Sequence, residues 1–191
     1  MRYVGEHEVA CDTDTLGFPS ISGCIAIVYV AKGALFGYHC YGGFQQAARA
    51  TGFANYINAH FLRGPGTRLY GVTFASGAPS RGYGATGWKD AWKTEVQLYA
   101  TALGYTGKIR GYDLANSGAA GSAYVEFRRT VDKCEIWVKQ WNSAYETKGA
   151  NTSHMNHKYL HPTNQALQMR MNVTTAVAGP APMRVHTVNL A

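Results

Sequence analysis

Residues 24–41 read Cys24-Ile-Ala-Ile-Val-Tyr-Val-Ala31-Lys-Gly-Ala34-Leu-Phe-Gly-Tyr-His39-Cys40-Tyr41. Two apolar runs rich in β-branched and aromatic residues flank Lys32-Gly33, the pattern of two strands joined by a tight turn. A β-hairpin is therefore predicted, ended by Gly42-Gly43. After it, Phe44 to Phe61 carries apolar residues at roughly helical spacing, weakened at Gly52. Arg63-Gly-Pro-Gly-Thr67 is a turn cluster, Arg68 to Ala75 is strand-like, and Ser76 to Gly87 reads as a mobile loop bordering a site. Trp88 to Leu103 is the best helix, with Ala91, Trp92, Val96, Tyr99 and Leu103 along one face and Gly104 placed as its C-cap.

Downstream, Lys108 to Leu114 is a strand. Ala123 to Thr130 and Lys133 to Trp141 bracket Val131-Asp132 as a second hairpin. Residues 142–163 are polar and read as irregular, and Gln165 to Val177 and Met183 to Leu190 read as closing strands. Upstream, residues 1–13 suit an edge strand and Thr13 to Ser20 a polar, proline-containing approach. The order describes an α+β fold: a mostly antiparallel β core with two main helices packed outside it, in one domain over residues 1–191.

Composition narrows the partners. Eighteen basic residues against eleven acidic ones give +7, which steers the chain toward acidic surfaces. The densest basic pair, Arg128-Arg129, lies inside a strand pattern, and no arginine-rich stripe with interleaved aromatics argues for nucleic acid. The N-terminus has no apolar core of a secretory signal, and no segment approaches the ~18–20 apolar residues of a membrane span. A soluble protein with no membrane partner is expected. Oligomeric state is not legible.

Cys11, Cys24, Cys40 and Cys134 show no CxxC spacing, so free thiols in a reducing cytosol are expected rather than a zinc ribbon or redox pair. His154, His157 and His161 have zinc-ligand spacing, but Asn151, Asn156 and Pro162 argue against the helix that would align them. The glycines from Gly77 to Gly87 lack phosphate-loop spacing. No metal and no organic cofactor is expected.

Cys24 opens the first hairpin strand and His39 stands near the end of the second. Antiparallel pairing brings those two ends together, and facing side chains have Cβ atoms ~5 Å apart, within reach of an imidazole-to-thiol bond. A nucleophilic cysteine needs such a base to form thiolate. Cys40, of opposite parity, belongs to the other face and to the core. Ser22-Gly23 supplies flexible backbone before the thiol, where the amides of Gly23 and Cys24 could cradle an oxyanion. Read structurally, the same pair is a buried thiol and a core histidine.

Ser22-Gly23-Cys24-Ile-Ala-Ile-Val-Tyr-Val, followed by Gly33-Ala34-Leu-Phe-Gly-Tyr-His39, resembles the catalytic hairpin of the cysteine deamidase superfamily. That group includes the cytotoxic necrotizing factor catalytic domains, the Burkholderia lethal factor-type toxin and the chemoreceptor glutamine deamidase CheD. The segment His39-Cys40-Tyr41-Gly42 is also similar to protein N-terminal asparagine amidohydrolases. The resemblance covers residues 20–43, with a fainter likeness to residue 78. It implies a sandwich-like core of the CheD or necrotizing-factor kind, with Cys24 as nucleophile and His39 as base. The implied activity is a cofactor-free protein-glutamine deamidase working through a thioester, and the implied partner is a target protein with a reactive glutamine.

Toxins and housekeeping enzymes share this hairpin, so the likeness extends to a bacterial effector or toxin acting in virulence. CheD and the lethal factor-type toxin carry threonine six residues before the cysteine, where this chain has Phe18. In the necrotizing factors a backbone carbonyl orients the histidine instead. Ser20 keeps the strand parity and is the first substitute for a third residue, with Thr15 a more distant one. Cysteine peptidase or transglutaminase chemistry, and a basic interaction module without catalysis, are the alternatives.

Overall fold

The computed structural model describes residues 1–41, 47–76, 81–142, 146–148, 157–159, 174–177 and 181–189. The chain is α+β. Its strands are β1 (Arg2–Tyr3), β2 (Glu8–Asp12), β3 (Thr15–Ile21), β4 (Ile25–Ala31) and β5 (Leu35–Cys40), followed by helix α1 (Ala47–Asn58) and β6 (Gly66–Thr73). Helix α2 (Trp88–Leu103), β7 (Ile109–Asp113), β8 (Ala123–Arg129) and β9 (Lys133–Gln140) come next. The last are β10 (Glu146–Lys148), β11 (His157–Tyr159), β12 (Thr174–Val177) and β13 (Met183–Asn189).

Two sheets face each other. One runs β1-β3-β8-β9-β13 and the other β11-β2-β5-β4-β6-β7, while β10 and β12 form a separate pair. Pairing is antiparallel except for β1 with β3 and β6 with β7. Leu16, Phe18, Val125, Phe127 and Ile136 of the first sheet close on Ala26, Val28, Val30, Tyr70 and Val72 of the second, all buried. The opposite face of the second sheet, with Ile25, Ile27, Phe36 and Tyr38, packs on α1 and α2 through Phe53, Ile57, Val96 and Tyr99. The architecture is thus sheet on sheet with helices outside. Strand β4 has every residue buried because both of its faces are covered.

The predicted hairpin forms over β4 and β5, with Ile25 opposite Cys40 and Ala26 opposite His39. Helix α2 has the predicted bounds, and Gly104 caps it in the left-handed conformation at φ 63°. Several expectations need correction. Residues 1–13 hold two strands, and β2 lies inside its sheet between β11 and β5 rather than at an edge; residues 142–163, read as irregular, contain β10 and β11. Residues 15–21 form β3 rather than a polar approach, because Leu16, Phe18 and Ile21 face the inter-sheet core. Arg81 and Tyr83, read as part of a mobile loop, are 6% and 8% exposed. A buried ion pair holds Arg81 in place, as described below. Gly42, Gly43, Phe44, His154 and His161 lie outside the described residues.

Candidate functional site

Cys24 lies one residue before β4, and Ala26 is opposite His39. Residues 24 and 26 share a face by strand parity, so His39 sits diagonal to Cys24 rather than directly across from it. Such diagonal neighbours stand ~7–8 Å apart at Cα with their Cβ atoms somewhat closer, and no hydrogen bond joins the two side chains: the thiol meets Glu6, and His39 Nε2 has no partner. Both side chains point into the inter-sheet layer. Cys24 is part of that core cluster, and the His39 ring meets Phe18 of β3 edge-on at 6.2 Å between centroids. Cys40 lies on the helix-facing side, among Tyr38, Phe53 and Tyr99, as its parity predicts.

The orientation of His39 comes from the N-terminal strand. Val4 follows β1, and its N–H donates to the Gly17 carbonyl of β3 at 2.8 Å. Its own carbonyl lies 2.9 Å from His39 Nδ1. A carbonyl can only accept, so Nδ1 carries the hydrogen and Nε2 is left as the basic nitrogen. Nε2 is buried and has no hydrogen-bond partner. The Nδ1 position considered for Ser20 is thus occupied by the Val4 carbonyl. Ser20 instead lies in the irregular step of β3 between Phe18 and Ile21, with φ 60°.

A tight turn brings two more groups over the pair. Glu8 N–H donates to the Gly5 carbonyl and the Glu8 carboxylate accepts from Gly5 N–H at 2.7 Å, so residues 5–8 close on themselves. The turn directs His7 N–H to the His39 carbonyl at 2.8 Å and places Glu6 Oε1 3.8 Å from Cys24 Sγ. Cys24 and His39 are each 1% exposed.

That burial sets the protonation states. Desolvation lowers the His39 pKa to about 4, although the bond to Val4 pulls it upward. Desolvation and then the Glu6 charge push the Cys24 thiol far above its ordinary range, while the Ser22 amide and the Arg81 charge act the other way. The resting pair is therefore neutral thiol and neutral imidazole. An ion pair this deep would lack the solvation it needs.

Groups that residue order did not single out hold the backbone of Cys24. Thr73 Oγ1 donates to the Cys24 carbonyl at 2.7 Å. Arg81 Nη1 donates to the Gly23 carbonyl at 2.8 Å and reaches the Cys40 carbonyl at 3.4 Å. The Arg81 guanidinium is clamped in a fork by Glu95, with Nε to Oε2 at 3.2 Å and Nη2 on Oε1. Tyr83 donates to Glu95 at 2.5 Å. Glu95 stands on the apolar face of α2 between Trp92 and Tyr99, and a carboxylate at that spacing was the legible sign of a buried partner. The Val4 carbonyl had no such sign, since every residue carries one.

A cleft of about 400 Å³ between α2 and β7, lined in part by Trp88, Trp92 and Tyr112, opens on the helix side of the same sheet. The Cys24 sulfur faces the other side, so this cleft does not contain the pair. The four cysteines are free. No cluster of metal-ligating residues occurs among the described residues, and no described helix is long and apolar enough to cross a membrane. The chain matches no protein-family model, and no curated protein matches it.

Proposed function

We propose that this chain is a cysteine amidohydrolase that deamidates a glutamine side chain on another protein, with Cys24 as nucleophile and His39 as general base and acid. The observation that carries the reading is the tautomer of His39. Its Nδ1 hydrogen is committed to the Val4 carbonyl, which leaves the Nε2 lone pair buried and without a hydrogen bond, on a side chain that shares its sheet face with Cys24. A backbone carbonyl in this role agrees with the hairpin's likeness to the necrotizing factors and makes a third catalytic side chain unnecessary.

The chemistry follows from the neutral pair. Nε2 takes the thiol proton as Sγ bonds to the carboxamide carbon, and the oxyanion is met by backbone amides at Gly23 and Cys24. The imidazolium then protonates the departing nitrogen, ammonia leaves, and a thioester remains. His39 next removes a proton from water, the water oxygen attacks the thioester, and the carbon–sulfur bond breaks. The products are glutamate and regenerated thiol. With Cys24 only 1% exposed, a carboxamide reaches sulfur after a neighbouring side chain moves. Glu6, half-buried and 3.8 Å from Sγ, is one such neighbour. An effector or toxin role is part of the proposal through the hairpin's likeness alone.

The test is peptide mapping of candidate target proteins incubated with the protein, alongside ammonia detection. Conversion of one glutamine to glutamate, lost in Cys24→Ser, is expected. Peptide cleavage or amine incorporation in its place would assign peptidase or transglutaminase chemistry. Full ammonia release by Cys24→Ala would end the proposal.

A further inference from the structure

The residue before Cys24 is held more firmly than a glycine bend requires. Arg81 donates to the Gly23 carbonyl at 2.8 Å, and Glu95 and Tyr83 complete a network whose ion pair is 1% and 2% exposed at the side chains. A guanidinium and a carboxylate both stripped of water are costly, and such a pair persists where its geometry is closely determined. The peptide between Gly23 and Cys24 is trans, because the described chain has no cis bonds. In a trans peptide the N–H points opposite to the carbonyl. Fixing the Gly23 carbonyl toward Arg81 therefore fixes the Cys24 N–H in the reverse direction.

That amide lies beyond both sheet ladders, which begin at Ile25–Cys40 and Ala26–Val72. The Cys24 carbonyl is separately tied by Thr73, so the residue is pinned on both sides. We infer that Arg81 is a positioning residue which, by holding the Gly23 carbonyl, aims the Cys24 N–H as the oxyanion donor of acyl transfer. The inference rests on the proposed amidohydrolase reading and adds the group that orients its transition-state contact. Glu95 and Tyr83 act through Arg81 by fixing the guanidinium plane.

Two thiol reagents separate this role from a merely structural one, and neither needs the natural target. Iodoacetamide alkylates sulfur by displacing iodide, with no oxyanion formed. Acetyl transfer from p-nitrophenyl acetate forms a sulfur–carbonyl bond, passes through an oxyanion and expels p-nitrophenolate, while the thiol proton leaves through His39. Rates are measured for the full chain, Arg81→Lys and Tyr83→Phe, each corrected by its Cys24→Ala counterpart, with folding checked by thermal melting.

Arg81→Lys is expected to lose about 10²-fold in acetylation, within the range for one oxyanion donor, and no more than a few-fold in alkylation. Tyr83→Phe leaves the ion pair in place and is expected to lose acetylation by a smaller factor in the same ratio; it decides the matter if Arg81→Lys does not fold. Equal losses with both reagents, or no loss with either, would overturn the inference. If Cys24 in the unmodified protein is alkylated but never acetylated, the amidohydrolase reading itself fails.

Discussion

His39 donates its Nδ1 hydrogen to the carbonyl of Val4 at 2.9 Å, across 35 residues of sequence. That bond fixes the ring's tautomer and plane without a side chain, so the orientation of His39 depends on where β1 lies against β3 and β5. A histidine oriented in this way is insensitive to most substitutions at the partner, since any residue at position 4 has the same carbonyl.

Removing the base and removing the serine considered for its support should differ sharply. His39→Gln is expected to lower the rate of glutamine conversion by about 10²–10⁴-fold, the usual contribution of a general acid–base group. Ser20→Ala should stay within a few-fold of the parent, because Nδ1 is already bonded to Val4. Initial rates of ammonia release measure both. A collapse of activity in Ser20→Ala would return the third role to that hydroxyl.

Stability should fall on acidification because of His39. Its pKa in the fold is lowered to about 4 from 6.5, so between those values the unfolded chain binds more protons than the native one. The stabilising effect of keeping the ring neutral is complete above about pH 6.5 and is lost as pH drops through about 4, up to roughly 3 kcal/mol for a shift of this size. Urea titrations at several pH values should show His39→Gln losing less stability over that window than the parent. Parallel pH curves for the two proteins would contradict the assignment.

Glu6 should restrain the thiol. Its carboxylate raises the Cys24 pKa, second only to burial, so Glu6→Gln should increase the thiolate fraction. Alkylation of Cys24 at pH ~8 is expected to speed up about 3–10-fold, following that fraction. Mass spectrometry of the modified peptide gives the rate. Slower alkylation in Glu6→Gln would mean that the carboxylate assists proton removal instead.

Packing around the His39 ring leaves no room behind Phe18. A Cβ placed on Gly37 would lie 2.6 Å from Phe18 Cζ and 2.8 Å from Leu16 Cδ1, and Phe18 itself touches the His39 ring. Gly37→Ala should cost about 1–3 kcal/mol of stability by overpacking. Trimming the ring in Phe18→Leu should relieve part of that cost, giving a favourable coupling in a double-mutant cycle. Additive losses in urea melts would show that the crowding lies elsewhere.

The hairpin of β4 and β5, helix α2 with its Gly104 cap, and the β8–β9 hairpin were readable from residue order because each is set by local rules. Those rules are apolar periodicity, turn residues and a glycine able to take positive φ. The shared face of Cys24 and His39 was readable for the same reason, since strand parity is a local property. Residues 15–21 were misread because Pro19 and Ser20 interrupt the alternation, and β3 exists through pairing with β8, which lies about a hundred residues away in sequence.

The chemical state of the pair was decided only by the tertiary structure. Val4 and Glu6 share the N-terminal stretch while Thr73 and Arg81 come from two others, and nothing in their local spacing ties any of them to Cys24 or His39. Protonation follows from burial between two sheets and from charges brought in by distant turns, quantities that exist only once the layers have closed. Residue order thus determined which sulfur and which nitrogen share a face; the closed sandwich determined that both rest uncharged and which carbonyl orients the ring.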